Sequence, residues 1–277
     1  MGAIIWLASY PKSGNTWTRA FLHNLLMNPK EPADINALNR FCLGEDKAQY
    51  YSQFDKRPLA ELTFKEVMAL RPKVHKVLTE AFPDSVFVKT HNFLGEVEGI
   101  PLVTMEYTAG GIYIVRNPLD VAISYAHHFG VDIDEAISQM ANPVMGSPTT
   151  EMVVRQVYAS WSMNVKSWTQ VPMPSLHVMR YEDMYSQPFR AFGNLARFLG
   201  LNPPRERLQK AIDNSSFKSL QRQERQHGFI ERSANSRFFR EGRPGQWRKV
   251  LTREQIARIV EDHREQMERF EYVPKDF

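Results

Sequence analysis

The sequence predicts an α/β fold: a doubly wound parallel sheet flanked by helices, in one domain over residues 1–277. Three observations carry that prediction. Four short apolar runs, residues 4–8, 86–88, 111–115 and 176–179, each stop at charged or turn residues, as strands buried on both faces do. Helical patterns separate several of them, and alternating strands and helices build parallel sheets. The chain of 277 residues, 43% hydrophobic and 12% aromatic, suffices for one large core, and no break in composition marks a linker.

The first run leads straight into Ser9-Tyr10-Pro11-Lys12-Ser13-Gly14-Asn15-Thr16-Trp17, and a helix with Phe21, Leu22, Leu25 and Leu26 on one side follows over 17–27. The first N–H groups of a helix lack intrahelical partners and lie at the positive end of its dipole, so this strand–loop–helix turn is an anion site. It differs from the Walker loop, whose Lys stands beside a Mg²⁺-binding hydroxyl: here Lys12 precedes the loop's only glycine and Trp17 opens the helix. Phosphate bound without a metal is the simpler expectation.

Ligands of an open α/β sheet sit beyond the carboxyl ends of its strands. After the second run come Lys89, Thr90 and His91; after the third come Arg116, Asn117, Pro118, Leu119 and Asp120, opening a helix over 119–128. Asn117 suits an N-cap and Pro118 the first helical position, which holds Arg116 at the helix mouth with a planar fork matched to phosphate. Ser124, about two turns on, can reach the same anion. His91 is the histidine at a strand end, and imidazole is the natural general base near neutral pH. Helices are expected at 151–169 and 188–199, and a charged one at 253–270.

Net charge is only +4, but residues 218–248 carry eight Lys or Arg against three Glu. That stretch reads as a solvated loop, a flap over an anionic ligand, or a nucleic-acid surface, the last weakened by few aromatics. The apolar run near the N-terminus is too short for a signal segment or a membrane span, Trp6 stands where a myristoylation site needs Ser or Thr, and the single Cys42 fits a reducing compartment. A cytoplasmic protein is expected.

Together these segments resemble the sulfotransferases that use 3′-phosphoadenosine 5′-phosphosulfate (PAPS), in particular the cytosolic, small-acceptor type. Residues 10–17 are similar to the family's 5′-phosphosulfate loop, 116–124 to its 3′-phosphate segment and 88–91 to the segment with its catalytic His. Ala159-Ser160-Trp161, the 181–184 stretch, Ser215-Ser216-Phe217 and the 240–247 stretch resemble later signatures in the same order. The resemblance implies that Lys12, Ser13, Gly14, Asn15 and Thr16 hold the 5′-phosphosulfate. Trp17 would stack on adenine with Tyr181 and Phe217, while Arg116, Ser124, Ser215, Arg240 and Gly242 complete the cofactor site. His91 would take the proton of an acceptor hydroxyl, and Lys12 and Lys89 would stabilise charge on the transferring group, with PAP as product and no metal. Sulfuryl transfer, like phosphoryl transfer, needs in-line positioning and stabilised charge more than covalent chemistry.

Two positions depart from the family pattern. Asn15 replaces a usual Thr, and Glu241 stands where Lys is common; a carboxylate facing a phosphate would be repelled, so Glu241 is expected to turn aside and pair with a flap arginine. The dimer segment often found before the flap is absent, leaving oligomeric state open. The alternatives are a P-loop nucleotide kinase, with Glu182 and Asp183 as Mg²⁺ ligands, and a non-catalytic nucleotide or nucleic-acid binder. Against these stand the missing Gly-Lys-Ser/Thr and the strand-end His91. The partner expected is a small hydroxyl acceptor, apolar or aromatic, bound by residues such as Phe41, Tyr50, Tyr51, Phe54, Phe129 and Met145 from 32–82 and 127–150; no nucleic acid or membrane is expected.

Overall fold

Each of the four apolar runs becomes a strand slightly longer than its apolar stretch in the computed structural model, which describes residues 2–232 and 237–277. The strands are β1 (Ala3–Ser9), β2 (Cys42–Gly44), β3 (Ser85–Thr90), β4 (Glu96–Val97), β5 (Ile100–Pro101), β6 (Thr108–Val115) and β7 (Leu176–Arg180). Five of them form one sheet in the order β2-β3-β1-β6-β7, and β4 and β5 pair as a short antiparallel hairpin. In the parallel β1–β3 ladder Ile4 stands opposite Val86 and Trp6 opposite Val88, all buried. Strand β2, parallel to β3, is too short to leave a periodic signal.

By contacts the chain divides into two compact units, each made of three separated segments. The first comprises the chain up to Pro11, Cys42–Tyr113 and Gln139–Val178; the second comprises Lys12–Phe41, Ile114–Ser138 and Met179–Phe277. In the first, the helix Phe64–Thr79 starts with a capping box between Thr63 and Glu66 and covers β1. There the ring of His75 meets Trp6 edge-on at 5.0 Å, and the Trp6 indole N–H donates to Thr108 Oγ1 at 2.9 Å. Pro72 inside this helix hid its pattern in the sequence.

In the second unit the helix Asn15–Met27 stacks Phe21 on Phe192 of the helix Pro188–Phe198 at 4.1 Å. Its last carbonyls, without intrahelical donors, accept from Arg207: Leu25 O at 2.7 Å and Leu26 O at 3.0 Å. The helix Pro118–Phe129 begins as expected, with Asn117 Oδ1 accepting from Leu119 N and Pro118 in the first turn. The helix Arg253–Arg269 opens with a Thr252–Gln255 capping box and buries Ile256, Ile259, Val260, His263 and Met267.

Two expectations are corrected. Helix occupies only Trp161–Thr169 of residues 151–169, with Ser160 as its cap. Before it, Val153 bridges Lys47 and Val157 bridges Gly146, while Thr150 Oγ1 accepts from Met152 and Val153 N; β-branched residues and a threonine turn outcompete helix there. The basic stretch 218–248 is also more ordered than a loop, because Phe217–His227 is a helix that buries Leu220 and Glu224. Residues 233–236 of that stretch lie outside the described residues. Among the described residues, no helix is long and apolar enough to cross a membrane.

Candidate active site

The anion loop is built by two backbone exceptions. Lys12 (φ 67°) and Gly14 (φ 109°) both take left-handed conformations, and a Cβ on Gly14 would stand 2.8 Å from the Tyr181 ring. Helix Asn15–Met27 then starts from Gly14, which offers its first turn no side-chain cap. Arg116 braces the loop: its Nη1 donates to the Lys12 carbonyl at 2.8 Å while its guanidinium lies 4.2 Å from the Tyr181 ring centroid. Ser13 Oγ and Arg116 Nε are buried and have no hydrogen-bond partner among the described residues. Buried polar groups of that kind call for a ligand or water.

Around this loop the second unit gathers its aromatic residues. Trp17 meets Tyr181 edge-on at 5.5 Å, Lys12 Nζ lies 4.0 Å from the Phe238 ring, and the Tyr181 hydroxyl donates to the Gly242 carbonyl. Burial raises the Tyr181 pKa, keeping the phenol neutral. Gly242 (φ 68°) touches Phe217 so closely that a Cβ would stand 2.1 Å from it. Lys12, Ser13, Gly14, Trp17, Arg116, Tyr181, Phe217 and Gly242 are thus brought into one network.

Other expected cofactor residues have protein partners. Thr16 Oγ1 accepts from Arg19 Nη2 at 3.0 Å and donates to Glu231 Oε2 at 3.4 Å; Arg19, fully buried, also makes a bidentate pair with Glu231. Asn15 is buried in the first turn, and Ser124 is half-buried on its helix. Ser215 turns its hydroxyl back to Ala211 O at 2.8 Å. Arg240 donates to Glu241 Oε1 at 3.1 Å and Gln246 Oε1 at 2.8 Å, and Arg243 Nε donates to Glu241 Oε2 at 3.1 Å. The expected pairing of Glu241 is therefore present, with both flanking arginines.

Sequence reasoning missed Asp120. Its buried carboxylate accepts from Gly245 N at 2.6 Å and Trp247 N at 3.1 Å, fastening the end of the flap to the helix that carries Arg116. An acid in a first turn reads only as a complement to the helix dipole, so nothing in the sequence signalled the clasp.

His91 belongs to the first unit. Its Nδ1 lies 2.8 Å from the Ser9 carbonyl oxygen, and a carbonyl can only accept, so Nδ1 carries the hydrogen and Nε2 of the neutral ring holds the lone pair. The chain on either side is anchored to Glu45, a fully buried carboxylate missed from sequence. Glu45 Oε1 accepts from Thr90 Oγ1 at 3.2 Å, Asn92 Nδ2 at 2.7 Å and Gln156 Nε2 at 2.8 Å, while Oε2 pairs with the equally buried Arg71. Burial pushes the Glu45 pKa up against the pull of Arg71. Asn164 Nδ2 donates to the His91 carbonyl at 3.0 Å. Lys89, half-buried, precedes this segment on β3.

A pocket of about 570 Å³ opens in the same unit, walled by Leu62, Phe64, Val67, Phe93, Val97, Pro143, Val144 and Val157, with Thr149 and Arg155 as its polar members. Of the aromatics expected to line an acceptor site, Tyr51 is instead fully buried in the core, and Phe54 and Phe129 are partly exposed. No group of three or more His, Cys, Asp or Glu among the described residues forms a metal site. Glu182, a Mg²⁺ ligand in the kinase alternative, is occupied by Asn117 N at 3.1 Å and the Tyr272 hydroxyl at 2.7 Å.

Sheet and loop define an α/β protein whose strand–loop–helix turn has the features of an anion site. The family model described as "Sulfotransferase domain" matches residues 4–271. Sulfotransferase 1B1 of Canis lupus familiaris is 29% identical, over 90% of this chain and 78% of its own, and Sulfotransferase 1A1 of the same species 25% identical, over 95% and 82%. In fold the chain is similar to retinol dehydratase in complex with androsterone and inactive cofactor PAP (TM-score 0.66, 19% identity, 95% of this chain and 80% of that one). It is likewise similar to mouse sulfotransferase SULT7A1 complexed with PAP (TM-score 0.63, 20% identity, 96% and 84%). The chain belongs to the sulfotransferase family: it is a PAPS-dependent sulfotransferase.

Proposed function

We propose that this protein, working as a single domain over residues 1–277, sulfates a hydroxyl of a small, apolar or aromatic acceptor with His91 as general base. The observation that carries the assignment is the Nδ1–H bond to the Ser9 carbonyl, which fixes the tautomer whose Nε2 can accept a proton. The residues fit PAPS. Ser13 Oγ and Arg116 Nε are buried with no hydrogen-bond partner among the described residues, Gly14 makes the left-handed turn that leads into the helix N-terminus, and Lys12 supplies charge. In this reading Lys12, Ser13, Gly14, Asn15 and Thr16 hold the phosphosulfate end, Trp17, Tyr181 and Phe217 the adenine, and Arg116, Ser124, Ser215, Arg240 and Gly242 the 3′-phosphate side. When bound, PAPS supplies the sulfuryl group and leaves as PAP. Lys12 and Lys89 neutralise charge that develops on the oxygens, a role lysines fill without metal because a sulfuryl group carries less charge than a phosphoryl group. The protein acts in the cytoplasm and has no nucleic-acid partner.

His91→Ala tests the base. Turnover should fall by about 10² to 10⁴ while 3′,5′-bisphosphate still binds in calorimetry without Mg²⁺. Turnover within a few-fold of wild type would remove His91 from the role, and bisphosphate binding that requires Mg²⁺ would favour the kinase alternative.

A further inference from the structure

The pocket beside Phe93 is apolar apart from Thr149 and Arg155, and Arg155 is held there with unusual firmness. Its N–H donates to Thr149 Oγ1 at 3.1 Å, and its carbonyl accepts from Arg71 Nη2 at 2.8 Å, the same Arg71 that is buried against Glu45. The side chain therefore leaves a backbone pinned on both sides. Its Nη2 donates to the Val144 carbonyl at 2.9 Å, and its guanidinium lies 5.6 Å from the Phe64 ring centroid. No carboxylate among the described residues pairs with it, and most of the five guanidinium donors remain unspent. Arg155 is half-buried, so its charge is tolerated without a counter-ion, but its unspent donors favour an anionic guest, and a neutral aromatic one would gain little from them.

The pocket also shares its chain with the catalytic segment. Thr90 and Asn92 both turn their side chains to Glu45, and His91 and Phe93 alternate with them along the chain. Phe93 lines the pocket, and its N–H donates to the carbonyl of Val157, another wall residue. A volume of about 570 Å³ suits a guest of one ring and a short chain.

We propose that the acceptor carries an anionic group, a carboxylate at the end of an apolar body whose other end bears the hydroxyl, and that Arg155 selects it. This rests on the assignment of His91 and the pocket to the acceptor hydroxyl. A carboxylate offers the planar, two-oxygen geometry that a guanidinium fork binds in bidentate fashion.

The test compares 4-(4-hydroxyphenyl)butanoate, its primary amide and the corresponding ω-amine as acceptors, each with PAPS. Wild type should favour the carboxylate over the amide by about 10- to 100-fold in kcat/KM. Arg155→Gln should reduce that ratio to near one, Arg155→Lys should keep part of it, and Arg155→Glu should shift preference to the amine. Equal use of carboxylate and amide by wild type, or a ratio unchanged in Arg155→Gln, overturns the proposal. Calorimetry with 4-phenylbutanoate, which has no hydroxyl to sulfate, separates the two readings. Binding that Arg155→Gln weakens at least tenfold, with no phenol turned over, supports the Arg155 site and removes the acceptor role of His91. Phenol turnover without carboxylate preference does the reverse.

Discussion

A fully buried carboxylate, that of Glu45, with four neutral donors, from Thr90, Asn92, Gln156 and Tyr51, is offset in charge by Arg71 in the same cavity. Glu45→Ala would leave that guanidinium buried and unpaired, at a cost of about 3–5 kcal/mol, whereas replacing Glu45 and Arg71 together by apolar residues should recover only the part due to the unpaired charge, because the donors around Glu45 still lose their acceptor. Urea unfolding of the single and double variants measures both. Because Thr90 and Asn92 lose their common acceptor, kcat of the double variant should still fall even where part of its stability returns. A second single-residue constraint is Gly242. With φ at 68° and Phe217 at 2.1 Å from an added Cβ, Gly242→Ala should weaken bisphosphate binding at least tenfold with turnover falling in parallel, read by calorimetry and assay.

Among the elements, the flap combines a clasp and a neutralised charge. Asp120→Ala strips two main-chain N–H groups of their acceptor, a loss of about 1–3 kcal/mol each if they stay dry, so thermal unfolding should begin earlier and bisphosphate affinity should fall. Glu241→Lys should tighten bisphosphate binding by about 1 kcal/mol or less, since the pairs it breaks are partly exposed. A hundredfold gain at low salt would show instead that Glu241 opposes the ligand. The elements that were legible in the sequence are those whose signal is local: β1, β3, β6 and β7 from apolar runs, and the start of helix Pro118–Phe129 from Asn117 and Pro118. What escaped depends on distant partners. Strand β2 exists because β3 lies beside it, residues 151–160 are pulled out of helix by bridges to Lys47 and Gly146, and Phe64–Thr79 hides behind Pro72. The same division runs through the candidate site. The loop and His91 announce themselves by spacing, while Glu45, Arg19 and Asp120 gain meaning only from residues up to 212 positions away.

At the scale of the whole molecule, acid should act through buried imidazoles. Burial lowers the His263 pKa to about 4, and that of His75 well below its usual value. The unfolded chain protonates these rings near pH 6.5 and the native one does not, so stability that is complete above pH 6.5 is lost as pH falls towards 4. For His263 alone the loss is roughly 3 kcal/mol. Urea midpoints measured from pH 7.5 to 4.5 should decline, and His263→Gln should flatten the decline whatever it does to stability at pH 7.5.

The interleaving of the two units also sets a timetable for synthesis. Phe21 leaves the ribosome early, but the ring it stacks on, Phe192, follows only after most of the chain has been made. At about 5–20 residues per second that is a delay of roughly 10 to 30 s. Throughout it the apolar side of the first helix, directly behind the anion loop, is uncovered. Chains stalled before Phe192 should therefore crosslink to chaperones through Phe21 and Leu25, and chains stalled well beyond it should not.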